Sequence, residues 1–85
     1  MSEGIMAVRS RLKIVLAEYN TARIREGQSA ITIRDLAADM KLSPSVITGL
    51  TANRARRIDF ETLNKLCRAL SCTPGDILEY SPDQS

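Results

Sequence analysis

The chain has 85 residues, of which 44% are hydrophobic and only 4% are aromatic. This length predicts one small domain over residues 1–85, with an aliphatic core at about residues 6–80 and a short tail at 81–85. No apolar run approaches the roughly 18 residues that span a bilayer, and the N-terminus lacks the pattern of a secretion signal. We therefore expect a cytoplasmic protein that does not enter the membrane.

The net charge of +2 is unevenly distributed along the chain. Residues 1–58 carry ten basic and five acidic side chains, whereas residues 73–85 carry three acidic side chains and no basic one. A basic body with an acidic end is typical of a protein that binds a polyanion on one face. A mixed, solvated surface is the alternative interpretation.

The residue types needed for catalysis or metal binding are scarce. The chain has no histidine, and Cys67 and Cys72 lack the CxxC spacing of a zinc site. The sequence contains no glycine-rich phosphate loop and no nucleophile paired with a base. We therefore expect no enzyme activity, no metal, no cofactor and no small-molecule ligand, and we expect Cys67 to be a reduced core residue.

Helical periodicity predicts a first helix over residues 6–23. Its buried stripe is predicted to contain Val8, Leu12, Val15, Leu16 and Tyr19, with Ile24 as an extension. The basic residues off this stripe are expected to be solvated, namely Arg9, Arg11 and Lys13. A polar segment follows, with Gly27 as the predicted stop.

Two short helices joined by a tight turn are predicted next. Thr32 can cap the second helix by accepting from the amide of Asp35, and Ser43 and Pro44 are a paired start signal for the third. Asn53 is the predicted stop. A helix-turn-helix over about residues 32–52 is the form in which small proteins place a helix end in the DNA major groove.

A fourth helix and a short fifth turn complete the prediction, and no strand is predicted. Asp59 is expected to cap a helix whose apolar face contains Phe60, Leu63, Leu66, Cys67 and Leu70. Thr73 and Pro74 begin the last turn, with Asp76 as its acidic residue. Two roles stay open for Ile77, Leu78 and Tyr80. They could close the core, or they could form an exposed apolar edge that pairs two subunits.

Three arginines follow the third helix directly, namely Arg54, Arg56 and Arg57. Cations at this place could meet phosphates, and a solvated loop is the alternative. Arg34 on the second helix could equally well contact a phosphate or pair with a nearby acidic side chain on the surface.

Two long segments of the chain resemble a known family. Its helix-turn-helix core is resembled by the segment DLAADMKLSPSVITGL, and its last two helices are resembled by RRIDFETLNKLCRALSCTPGDILEY. The family comprises compact regulators of the Cro and phage-repressor type and is called the XRE family. The resemblance covers roughly residues 8–80 and is closest to small stand-alone bacterial domains. The buried positions of the core hold Ala37, Leu42, Ile47 and Leu50. The resemblance implies an all-α, compact five-helix lambda-repressor-like fold. It also implies a protein that binds operator DNA and controls transcription, commonly as a homodimer.

The resemblance also implies which residues would meet double-stranded DNA. The positions of the third helix that face base edges hold Pro44, Ser45, Thr48 and Gly49. The positions near phosphates hold Thr32, Ile33, Asn53, Arg54 and Arg56, to which the charge pattern adds Arg34 and Arg57.

The chain departs from the family pattern at two places in the backbone. Lys41 stands at a turn position that commonly holds glycine, so a left-handed backbone there would cost about 1 kcal/mol. The connection over residues 23–31 is longer than usual. It forms either an extra turn of the first helix or a loop that reaches DNA or a partner.

The base-facing residues of the third helix are small. None can make the bidentate hydrogen bonds by which proteins discriminate bases. We therefore predict that affinity comes mainly from phosphates and DNA shape and falls steeply with salt. The same lack motivates the alternative function, a protein-protein interaction module on a helix-turn-helix fold with little or no base reading.

Overall fold

A computed structural model describes residues 7–81 of the chain. Its helices are α1 (Leu12–Arg25), α2 (Ile33–Met40), α3 (Pro44–Thr51), α4 (Phe60–Leu70) and α5 (Pro74–Ile77), and its strands are β1 (Ala7–Ser10) and β2 (Leu78–Ser81). The predicted five-helix fold is confirmed, with the addition of one two-stranded ribbon. Met6, the predicted helix start, and residues 82–85 of the predicted tail lie outside the described residues. Among the described helices, none has the length and hydropathy to cross a membrane.

The ribbon joins the two ends of the described chain. β1 and β2 are antiparallel, with Val8 opposite Tyr80, and the Arg11 amide donates to the Ile77 carbonyl at 2.6 Å. The prediction of no strand, and of a helix from residue 6, was therefore wrong. Residues 7–10 form a strand because they pair with residues 78–81 at the other end of the sequence. Local periodicity does not report a pairing partner so far along the chain.

The first helix begins later than predicted. α1 starts at Leu12, where the Ser10 hydroxyl accepts a hydrogen bond from the Leu12 amide at 3.1 Å. Leu12 and Val15 are buried as predicted, but Val8 and Ile24 are 67% and 61% exposed. The prediction for these two was wrong because Val8 belongs to the ribbon and Ile24 lies in the last turn of α1, which extends past the core.

The long connection between α1 and α2 is tied back to α1 by Asn20. The Asn20 side-chain amide donates to the Ile31 carbonyl at 3.0 Å, and its oxygen accepts from the Ile31 amide at 2.8 Å. Gly27 has a left-handed φ of 83° just after the helix end, as expected for a stop residue. The connection is therefore a short extension of α1 to Arg25, followed by a loop.

All five helices contribute to one core. The buried hydrophobic residues are Leu12, Val15, Leu36, Ala37, Met40, Ile47, Leu50, Leu63, Leu66, Leu70 and Ile77. Cys67 packs half-buried against them, and it and Cys72 are free thiols. Phe60 is 88% exposed, so its assignment to the apolar face of α4 was wrong. It is the first residue of α4 and precedes the part of the helix that meets the core.

Ile77 at the end of α5 and Leu78 and Tyr80 in β2, for which two roles stayed open, differ in burial. Ile77 is fully buried and Leu78 is half-buried against the core, whereas Tyr80 is 66% exposed. Arg11, predicted to be solvated, instead lies at the start of α1 with its Nε 3.6 Å from the Glu79 carboxylate. The end of α5 and the start of β2 therefore close the core, and Tyr80 alone of the three keeps most of its surface exposed.

Replacing Asn20 with Ala should destabilise the fold. The variant leaves the half-buried Ile31 amide and carbonyl without their partner, so we expect the free energy of unfolding to fall by about 1–3 kcal/mol. Urea denaturation followed by circular dichroism measures this change. Asn64→Ala, at an exposed position of α4, is the matched control and should cost less than about 0.5 kcal/mol. Equal losses in the two variants would contradict the role of Asn20.

Three helix starts depend on an aspartate and a threonine three residues away. The carboxylates at the starts of α2, α4 and α5 are Asp35, Asp59 and Asp76. Hydrogen bonds with these threonines lower the pKa of each carboxyl below its usual 3.8. The largest cause is the threonine backbone at Asp35 and Asp76, and the threonine side chain at Asp59.

Stability should therefore fall in acid. Because the pKa of each carboxyl is lower in the folded chain than in the unfolded one, its stabilisation is complete above the unfolded value and is lost as the pH falls through the folded value. We expect a lower urea midpoint at about pH 3 than near neutrality. A variant with Asn at all three positions keeps capping oxygens but cannot titrate. Its midpoint should depend less on pH, and an equally steep decline would exclude these carboxyls as the cause.

Candidate nucleic-acid interface

A reciprocal cap fixes the start of α2. The Thr32 hydroxyl accepts from the Asp35 amide at 3.0 Å, and the Asp35 carboxylate accepts from the Thr32 amide at 3.1 Å. Such a box satisfies two amides that a helix start leaves unpaired. Thr32 and Arg34 are exposed, whereas Ile33 is half-buried against the core. Arg34 belongs to neither of the two ion pairs within residues 7–81.

The turn between α2 and α3 has a left-handed residue, Lys41, with φ 57° and ψ 43°. The Leu42 amide donates to the Ala37 carbonyl at 2.9 Å, and the Lys65 side chain donates to the Met40 carbonyl at 3.1 Å. These bonds satisfy carbonyls that the end of α2 leaves free. Ala37 is 1% exposed, and its small side chain allows α3 to cross α2 at close range.

One face of α3 is buried and the other is directed outward. Ile47 and Leu50 are buried, which fixes the rotation of the helix. The Ser45 hydroxyl is exposed and lies 3.0 Å from the Ser43 hydroxyl. The four residues predicted to face bases comprise two exposed ones, Pro44 and Ser45, and two half-buried ones, Thr48 and Gly49.

Val46 is an outward residue of α3 that was not among the predicted site residues. Its side chain is 39% exposed. The position three residues before Gly49 lies on the same side of a helix, and this spacing is the signal that would have identified it. Val46 gives the outward surface of α3 an apolar component.

The chain reverses direction directly after α3. Asn53 has a left-handed φ of 60°, and the amides of Arg54 and Ala55 both donate to the Gly49 carbonyl, at 2.8 and 3.1 Å. The Asn53 side-chain oxygen accepts from the Ser10 amide of β1 at 3.1 Å. The sequence carried no signal for this contact, because β1 itself was not predicted.

The reversal brings the arginines back beside α3. Residues 54–57, here called the arginine loop, line a cleft of about 600 Å³ together with Ser45, Gly49 and the apolar side chains of Val46 and Ile58. Its lining thus includes two of the predicted base-facing residues and all three arginines after α3. The remaining predicted site residues do not line it, namely Thr32, Ile33, Arg34, Pro44, Thr48 and Asn53.

The charge beside this cleft is predominantly positive. Arg54, Arg56 and Arg57 are exposed and belong to neither of the ion pairs in the described part of the chain. Asp59 also lines the cleft and contributes one negative charge, with its carboxylate accepting a hydrogen bond from the Thr62 amide at 3.2 Å. The arrangement provides three cations around an apolar floor with few hydrogen-bonding groups, which suits contact with a polyanion more than recognition of a small polar ligand.

Comparisons with known proteins relate the chain to helix-turn-helix domains. Residues 23–83 match the sequence profile of a family described as "Cro/C1-type HTH DNA-binding domain". The chain is 33% identical over 54 residues to the "Uncharacterized HTH-type transcriptional regulator YozG" of Bacillus subtilis, and the match spans 64% of this chain and 64% of that relative. It is also similar to a "putative DNA-binding protein from Bacteroides fragilis" of known crystal structure, with a TM-score of 0.65, 25% identity and coverage of 86% of this chain and 100% of that one.

Proposed function

Because the chain belongs to the family of Cro/C1-type helix-turn-helix DNA-binding domains, we propose that it is a transcriptional regulator that binds operator DNA through α3. The observation that carries the proposal is the cleft that joins the outward surface of α3 to the arginine loop. An outward helix end beside three cations matches what insertion into the major groove between two phosphate strands requires.

In the proposed complex the outward side of α3 faces base edges. Pro44, Ser45, Thr48 and Gly49 are the residues in that position, and the hydroxyls of Ser45 and Thr48 can each make single hydrogen bonds. The Thr48 methyl group can contact a thymine methyl. None of the four provides a bidentate pair, so discrimination between bases should be modest at each position.

Phosphates then supply most of the affinity. Arg54, Arg56 and Arg57 contact phosphates after α3, and Thr32, Ile33 and Arg34 at the start of α2 also approach the DNA backbone. Each arginine that neutralises a phosphate releases counterions, so the binding constant should fall steeply with salt. Two copies of the chain, with their α3 helices about 34 Å apart, would double these contacts and read two half-sites.

A second function is favoured by one observation. The outward surface of α3 combines small polar residues with Val46 and an apolar cleft floor. This composition also suits a protein-protein interaction module that keeps the helix-turn-helix fold and reads little or no sequence. The arginine loop separates the two functions, since the module would not need its charges.

Replacing Arg54, Arg56 and Arg57 with Ala should abolish tight DNA binding. Loss of three phosphate contacts should reduce the slope of log binding constant against log salt by about 2–3. Fluorescence anisotropy with a labelled duplex at several salt concentrations measures both the affinity and the slope.

The matched control removes the same charge elsewhere, by Lys13→Ala, Arg25→Ala and Arg68→Ala at exposed positions. It should retain most of the affinity and most of the slope, because only long-range attraction is lost. Equal effects of the two triple variants would mean that net charge alone drives binding. Undiminished binding after loss of the arginine loop charges would contradict the proposed interface.

Gly49→Ala should separate stability from DNA binding. A Cβ at this position would meet nothing within 4 Å in the protein, and Ala is favoured over Gly within a helix by about 0.5–1 kcal/mol. We expect a stability increase of that size in thermal unfolding, together with weaker DNA binding because the methyl group would stand between α3 and the bases. A stabilised variant with unchanged affinity would place the DNA away from Gly49.

A further inference from the structure

We propose that Asn53 is a positioning residue that ties the arginine loop to the β ribbon and so holds the three arginines in place for phosphates. The inference rests on the proposed DNA-binding function. It changes the role expected for Asn53, from a residue that touches DNA to one that acts through its neighbours.

The hydrogen bond from β1 is the first observation. Because the Arg11 amide points into the ribbon and donates to the Ile77 carbonyl, the preceding amide of Ser10 points away from β2. Asn53 Oδ1 accepts from this outward amide at 3.1 Å. The side chain thus takes the place of water at an exposed strand-edge amide.

The backbone of Asn53 is the second observation. Its φ of 60° lies in the left-handed region, which asparagine tolerates better than most residues with a side chain. This conformation allows the amides of Arg54 and Ala55 to return to the Gly49 carbonyl. One residue therefore fixes the loop on two sides, through its backbone to α3 and through its side chain to β1.

The hydrogen bond between Ser10 and Asn53 lies where the ribbon and the arginine loop are otherwise poorly packed together. A cavity of about 120 Å³ lies between the ribbon and the loop, with Val8, Arg56 and Arg57 in its lining. Packing between the two segments is incomplete there. The ribbon itself is anchored, since Arg11 donates to the Asp76 carbonyl at 3.3 Å in addition to its ion pair with β2. Asn53 therefore connects the loop to a fixed support.

A phosphate contact by Asn53 would have a different signature. An uncharged side chain that touches DNA adds affinity without releasing counterions, so its loss leaves the salt slope unchanged. A residue that orders the arginines changes the slope when it is removed. The two roles also differ when the arginines are absent, because a positioning residue then has nothing left to position.

The test uses Asn53→Gly, which removes the side chain at a position whose left-handed backbone glycine adopts without strain. In the free protein we expect faster amide hydrogen exchange at residues 54–57 and at Ser10. With a labelled duplex we expect about threefold to tenfold weaker binding, as for loss of one hydrogen bond, and a smaller salt slope. The control is Ser71→Gly, another left-handed position, at the end of α4, which should change none of these.

The substitution is then repeated in the chain that lacks the three loop arginines. Asn53→Gly should weaken the residual binding of that chain less than twofold. The same loss in both backgrounds, or a loss with an unchanged salt slope, would overturn the proposal in favour of direct contact with DNA. Unchanged exchange of residues 54–57 in the free protein would also overturn it. If the unsubstituted protein fails to bind DNA, the proposed function fails, and hydrogen exchange alone still decides whether Asn53 orders the loop.

Discussion

Three residues in the left-handed conformation allow this chain to form a core at all. Lys41, Asn53 and Ser71 have φ values of 57°, 60° and 53°, and they follow α2, α3 and α4. These helices have 8, 8 and 11 residues, too few to share a core as parallel neighbours. They share one because the chain reverses sharply after each of them. None of the three residues is glycine. The reversals at Lys41 and Ser71 each cost about 1 kcal/mol that burial of the aliphatic core must offset, whereas asparagine tolerates this conformation better.

The reversal after α3 also determines what the surface can do. It returns the chain to the Gly49 carbonyl and leaves the arginine loop beside the outward face of α3. The same buried residues that complete the core, Ile47 and Leu50, set which side of α3 faces outward. Core packing and the candidate interface are therefore two consequences of one arrangement, in which a short helix is held at one end by the turn at Lys41 and at the other by Asn53.

The features that could be predicted from the sequence are those with local causes. Thr32 with Asp35, and Asp59 ahead of α4, are signals contained within four residues, and both helices begin where these predict. The ribbon could not be predicted, because each of its strands has only four residues and its pairing joins opposite ends of the chain. The contact between Ser10 and Asn53 depends on that ribbon and was missed with it. Phe60 follows the apolar spacing of α4 yet is exposed, since periodicity does not report where a helix leaves the core.

The central claim is that phosphates provide most of the affinity and α3 a modest preference among sequences. Fluorescence anisotropy tests it most directly, with a labelled duplex from the region upstream of the protein's own gene and a scrambled duplex, each at two salt concentrations. We expect both duplexes to bind with a steep dependence on salt, and the upstream duplex to bind more tightly. Absence of binding to either duplex at low salt would contradict the claim and would favour a protein-protein interaction module.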